Sequence, residues 1–114
     1  MSSHELVSKH ASNRLLSPLL PGFVKDLAPS VDELARVSEI GEWARFSGLA
    51  HRLKGEAATY GYPDLALVAG ELEAKTKHTG APESTVDHLI ADLRTLVQRA
   101  EAGLARLGLT ESEP

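Results

Sequence analysis

A stripe of apolar residues near the end of the chain limits the possible folds most strongly. Val86, Leu89, Ile90, Leu93, Leu96, Val97, Ala100, Leu104 and Leu107 recur at helical intervals of three and four, which lines one face of an α-helix. An isolated helix gains little in water, so this face needs partner helices to cover it. Earlier segments supply them. Phe23, Leu27, Val31, Leu34 and Val37 form a second stripe. Phe46, Leu49, Ala50, Leu53, Ala57 and Tyr60 form a third, and Leu65, Val68, Ala69, Leu72 and Thr76 a fourth. Four such helices joined by short turns predict an all-α protein, an antiparallel four-helix bundle.

The turn residues agree with this division. Pro18, Pro21 and Gly22 precede the second stripe. Pro29 lies inside it, so either one helix kinks there or two shorter helices meet. Ser30 and Glu33 have capping-box spacing for a helix restarting at Val31. Residues 38–42, with Gly41, read as a connection. A long helix is expected over residues 43–60, closed by Gly61-Tyr62-Pro63, with Gly at the C-terminal cap and Pro opening the next helix. His78-Thr79-Gly80-Ala81 reads as another short turn, and Pro82 starts the last helix. The bundle is expected over residues 18–108. Residues 1–17, with weak periodicity through Leu6, Ala11, Leu15 and Leu16, are expected to add an N-terminal arm or short helical segment. It would pack on the bundle or mediate dimerisation. Residues 109–114 read as a disordered acidic tail.

The 114 residues suffice for one core and not two. Aromatics are 4% of the chain, so Leu, Val, Ile and Ala must build that core, a composition better suited to helices than to sheets. A net charge of -4 with no basic stripe argues against nucleic acid or an anionic membrane as partner. The absence of cysteine excludes disulfides and thiolate metal sites and agrees with a cytoplasmic location. No apolar run is long enough to span a bilayer, and Met1-Ser2-Ser3-His4-Glu5 lacks the pattern of a signal peptide.

His51 is the candidate reactive residue. It lies one position past Ala50, about 100° around the helix from the middle of the apolar stripe, and should stand at the rim of the core with its ring in solvent. Its neighbours along that flank are Ser47, Gly48, Lys54, Gly55 and Ala58. All but Lys54 are small. A glycine inside a helix costs about 1 kcal/mol relative to alanine, and close approach of another surface to the imidazole would offset that cost. Gly48 reads equally as a residue that eases helix packing. Counting from Tyr62 at the turn, His51 lies eleven residues before and Glu73 eleven after. Equal rise along antiparallel helices puts the two level. The Glu73 carboxylate would then accept a hydrogen bond from Nδ1–H of His51 and leave the Nε2 lone pair free; the other reading of Glu73 is an ordinary solvated side chain. A free Nε2 can attack phosphorus in an in-line transfer, with Lys54 neutralising phosphoryl oxygens. No carboxylate cluster suits Mg²⁺, so no cofactor is expected on this chain and the metal should come from the partner. His4, His10, His78 and His88 lack ligand spacing and read as surface residues.

The run Leu49-Ala50-His51-Arg52-Leu53-Lys54-Gly55-Glu56-Ala57-Ala58-Thr59-Tyr60-Gly61 resembles the signature of histidine phosphotransfer domains, roughly A-H-x-L-K-G-x-A-x-x-x-G. Leu72-Glu73 falls where that family has an L-E pair. Thr59-Tyr60-Gly61-Tyr62 is similar to a segment in the phosphotransfer domain of chemotaxis histidine kinases. The resemblance covers about residues 20–107, but its specific part is 49–73. It implies a four-helix bundle phosphorylated on His51, a phosphoryl carrier rather than a turnover enzyme. The implied partners are response-regulator receiver domains or a histidine kinase. Lys54 and Gly55 match the family's positions for phosphate interaction and close packing. Glu56 departs from a commonly small or polar position and is expected to point away from His51. A monomer is expected, and the start at Met1 favours a complete small protein over a domain cut from a larger kinase. Two other readings are a non-phosphorylated helical adaptor that docks on receivers and a hydrolase using His51 and Glu73, for which no substrate pocket or oxyanion site is evident.

Overall fold

Helices form where the apolar stripes predict them. In the computed structural model, which describes residues 5–77 and 81–109, α1 spans Leu20–Lys25, α2 Leu27–Glu39, α3 Trp43–Thr59, α4 Pro63–Thr76 and α5 Glu83–Leu107. The described residues contain no strand. His4, residues 78–80 of the expected turn, including His78, and residues 110–114 lie outside them. Helices α2 to α5 form a closed ring in which α2 packs on α3 and α5, and α4 packs on α3 and α5. The longest helix, α5, would extend about 37 Å at 1.5 Å per residue, close to the 43 Å long axis of the molecule. Its stripe from Val86 to Leu104 is buried against Leu27, Val31, Leu34, Phe46, Leu53, Leu65 and Leu72 of the other helices.

The second stripe is two helices, and they meet at Asp26 rather than at Pro29. The Asp26 N–H bonds back to the carbonyls of Gly22 and Phe23, which ends α1. Pro29 then falls in the first turn of α2, where a missing N–H has no helical partner to lose. The capping box at Ser30 and Glu33 does not form, because α2 is already running at Leu27. The Ser30 hydroxyl instead donates to the Asp26 carbonyl at 2.9 Å, and Glu33 accepts from Arg36 and Arg45 at 2.8 and 2.6 Å.

The reversal between α3 and α4 positions the candidate site. Gly61 has φ +84°, a left-handed conformation that a side chain disfavours. The Tyr62 N–H reaches the Ala57 carbonyl at 2.8 Å and the Gly61 N–H the Ala58 carbonyl at 3.2 Å, the paired bonds of a Schellman motif. Tyr62 is fully buried. Phe23 of α1 stacks on Tyr60 and Tyr62, with ring centroids 4.6 and 5.9 Å apart, so the two tyrosines fasten α1 to the hairpin end.

Of the two expectations for the N-terminal segment, an arm or a short helical segment, the structure shows the arm. Residues 5–16 hold only turns, and Ser17–Leu19 form one 3-10 turn. Two backbone N–H groups and two side chains of the arm find partners on the bundle. The Leu6 N–H donates to the Arg99 carbonyl at 2.9 Å and the Lys9 N–H to that of Gly61 at 2.8 Å. The Ser8 hydroxyl donates to the Tyr60 carbonyl, and Glu5 pairs with Arg106. His10 is half-buried against Gly61 rather than free on the surface. At the other end, Leu109 belongs to the bundle and not the tail: its N–H bonds to the Leu104 carbonyl at 2.9 Å and its side chain packs on the core.

Gly103 is the seat of this arm, since a Cβ there would lie 2.2 Å from the Leu6 carbonyl oxygen. Gly103→Ala should therefore lift the arm and cost about 1–2 kcal/mol, the worth of one or two hydrogen bonds with some packing. Hydrogen exchange should quicken at Leu6 and Lys9 while the core of α5 stays protected; unchanged exchange at both amides would contradict this seating.

Candidate functional site

His51, Lys54 and Glu73 meet at the edge of the α3–α4 hairpin. His51 Nδ1 lies 2.8 Å from Glu73 Oε2, and Lys54 Nζ lies 3.1 Å from the other carboxylate oxygen, Oε1. One carboxylate thus serves both residues of α3. The His51 side chain is 68% exposed, whereas that of Glu73 is 17% exposed. The imidazole ring therefore stands outside the bundle on a support that is largely inside it. Helical angles account for the arrangement. Ala50 is fully buried, and His51 stands about 100° from it while Lys54 stands only about 40° away. Lys54 therefore sends its stem along α4 before its ammonium reaches Glu73.

The hydrogen bond from Lys54 does most to hold the Glu73 carboxyl below its ordinary 4.5. Partial burial opposes this, and the hydrogen bond and charge of His51 add to the lowering. An ionised carboxylate has no proton to donate. The shared hydrogen therefore sits on Nδ1 of His51, and in the neutral ring Nε2 carries the lone pair.

The flank around His51 is only partly as expected. Gly48, Gly55 and Ala58 are exposed, and a Cβ at Gly48 or Gly55 would meet nothing within 4 Å. Packing among the described residues therefore does not require either glycine, which removes eased helix packing among them as the reason for Gly48. Ser47 is different: it is buried, 9% exposed, and is no part of an open flank. Lying about 60° from Ala50, it is close enough to the centre of the stripe to be covered. Glu56 bonds Arg52 at 3.2 Å on the side of α3 that faces α2, away from His51. Trp43 packs edge-on against Phe46, with centroids 5.4 Å apart. His88 is exposed. No cluster of potential metal ligands occurs among the described residues.

Gly70 is the site neighbour that residue pattern alone does not single out. A Cβ there would lie 3.1 Å from Cδ of Lys54. The signal was present in the turn register: Lys54 lies eight residues before Tyr62 and Gly70 eight after.

A helical bundle bearing a surface histidine, tied through Nδ1 to a carboxylate and flanked by a lysine, has the make-up of a phosphoryl carrier module. The family model of the Hpt domain matches residues 19–103. The chain belongs to the Hpt, or histidine phosphotransfer, domain family, whose members are phosphocarrier modules of phosphorelays. Neither a curated protein nor a solved structure matches it. The arm at residues 5–16 lies outside the matched region. No helix among the described residues is long and apolar enough to cross a membrane.

The lowered carboxyl of Glu73 sets the sign of a pH effect. A group whose pKa falls on folding stabilises the fold above its unfolded pKa, and that contribution disappears as pH falls through the lowered value. Glu73→Gln should therefore flatten the loss of stability in acid, read from urea melts at stepped pH below the ordinary carboxylate range. Parallel acid limbs for wild type and variant would show that Glu73 carries no such linkage.

Proposed function

We propose that His51 is the phosphorylated residue and that the chain relays the group between a donor and a receiver domain. The observation that carries this reading is the Nδ1–Glu73 bond beneath an exposed ring. Nε2 attacks the phosphorus of a receiver's aspartyl phosphate, or of the γ-phosphate on a kinase. The N–P bond forms as the P–O bond to the leaving oxygen breaks. The leaving carboxylate or ADP departs as an anion and needs no proton from this chain. The ring keeps its Nδ1–H, and its gained positive charge is held by Glu73. Lys54 lies close enough to turn from Glu73 toward the phosphoryl oxygens. Any Mg²⁺ belongs to the partner's acidic site, because this chain's part in the transfer is nucleophile and cation.

Gly48, Gly55 and Ala58 support the reading from the partner's side. Two exposed mid-helix glycines that nothing in the chain demands cost about 1 kcal/mol each, and a receiver pressed against the ring gives the bare backbone a use. The surface fits receiver domains or a kinase domain. A non-phosphorylated adaptor would dock through the same glycines but would have no use for Nδ1 fixed as donor.

Incubation with charged receivers or a kinase should give acid-labile, base-stable phosphate on wild type and none on His51→Ala. Equal labelling of the two proteins would end the proposal. Gly48→Ala and Gly55→Ala should each raise stability by about 0.5–1 kcal/mol yet slow transfer from a receiver. Stabilised variants with unimpaired transfer would separate these glycines from docking.

A further inference from the structure

Gly48, Gly55 and Gly70 all lie inside helices near His51, but their surroundings differ. The first two have open space where a Cβ would stand; Gly70 does not. A Cβ on Gly70 would lie 3.1 Å from Cδ and 3.9 Å from Cγ of Lys54, the first distance being shorter than the optimum of about 3.5–4.0 Å for carbon atoms. Gly70 and Glu73 are three apart on α4 and so share a face. The aliphatic stem of Lys54 crosses α4 over Gly70, and its ammonium comes down on Glu73 Oε1, 3.1 Å away. Lys54 is 43% exposed, so solvent is the alternative place for its head.

We propose that Gly70 is a positioning residue: its missing side chain is the channel through which Lys54 reaches Glu73 and is held beside His51. A single methyl group displaces the stem by a few tenths of an ångström, which a flexible lysine absorbs. A branched side chain takes the stem's path and turns the ammonium out to solvent. Glu73 then loses its stronger charged partner and keeps only His51. The Nδ1 bond survives, so the ring remains nucleophilic but lacks the cation beside it. The inference rests on the phosphotransfer reading for its rate consequence and not for its geometry.

The test compares Gly70→Ala and Gly70→Val, each in wild-type and Lys54→Met backgrounds. Two readouts are used: NMR titration of the Glu73 side-chain carboxyl, and the rate of His51 phosphorylation by phosphoramidate, followed site by site by mass spectrometry. In that reaction Nε2 attacks phosphorus, the P–N bond of the reagent breaks and ammonia leaves. Gly70→Val should raise the Glu73 pKa toward the ordinary range and slow phosphorylation by the same factor as Lys54→Met, on the order of tenfold for one exposed cation at the transferring group. In the Lys54→Met background it should do neither, because groups acting as one unit are not additive. Gly70→Ala removes a helix-weakening glycine, so it folds at least as well and should shift the titration slightly in the same direction.

A wild-type Glu73 titration in both variants would overturn the proposal. So would equal slowing by Gly70→Val with and without Lys54. If His51→Ala matches wild type in labelling, the phosphotransfer reading fails, while the Glu73 titration still decides the role of Gly70.

Discussion

The register of α3 against α4 is the constraint on which the site depends, and it is set where the chain reverses. Gly61 takes a left-handed conformation, the two Schellman bonds close the end of α3, and Pro63 starts α4 with its φ already helical. Buried Tyr62 and the stacked Phe23 keep that turn in place. With the pivot fixed, equal rise per residue carries the alignment outward along both helices. It brings Glu73 level with His51 and Gly70 level with Lys54. A slip of one helical turn, about 5.4 Å, would exceed the reach of both contacts at once.

Within that alignment a single carboxylate does two things. Oε2 accepts from the imidazole and Oε1 from the ammonium. The lysine does most to hold the carboxyl below its ordinary value, and the ionised carboxylate fixes which imidazole nitrogen carries hydrogen. The cation beside the ring and the lone pair on the ring are therefore linked through Glu73. Gly48 and Gly55 leave space that none of the described residues fills, while Gly103 and Gly61 leave space that the N-terminal arm occupies. Gly61 and Gly103 serve the fold, whereas the packing of the described residues makes no demand at Gly48 and Gly55.

Much of this was legible from residue order. The stripes placed α3, α4 and α5 to within a few residues, because burying an apolar face at helical period leaves few other arrangements. Counting outward from Tyr62 aligned Glu73 with His51. The same count would have aligned Gly70 with Lys54, but a glycine offers no functional group to look for. Other features were not legible. Ser47 has a polar side chain and sits on the His51 flank, yet α3 is covered further round than its apolar residues indicate. Ser30 and Glu33 have capping-box spacing, but α2 starts earlier and gives each another partner. The arm has weak helical periodicity and takes no α-helix, because the N–H groups of Leu6 and Lys9 bond to Arg99 and Gly61, far away in sequence, and those of Ala11, Asn13, Leu15 and Leu16 close local turns.

The sequence by itself determined the all-helical class, the place of the α3–α4 turn, the exposed position of His51 and the family, since each follows from local period, turn chemistry or a contiguous motif. Only the tertiary structure decided which oxygen of Glu73 serves which partner, that the stem of Lys54 runs over Gly70, that Ser47 is covered, and that residues 5–16 lie on the bundle as coil and turns. Those outcomes depend on how far one helix shields another and on bonds between residues distant in the chain, and neither is encoded in spacing along a single strand of sequence.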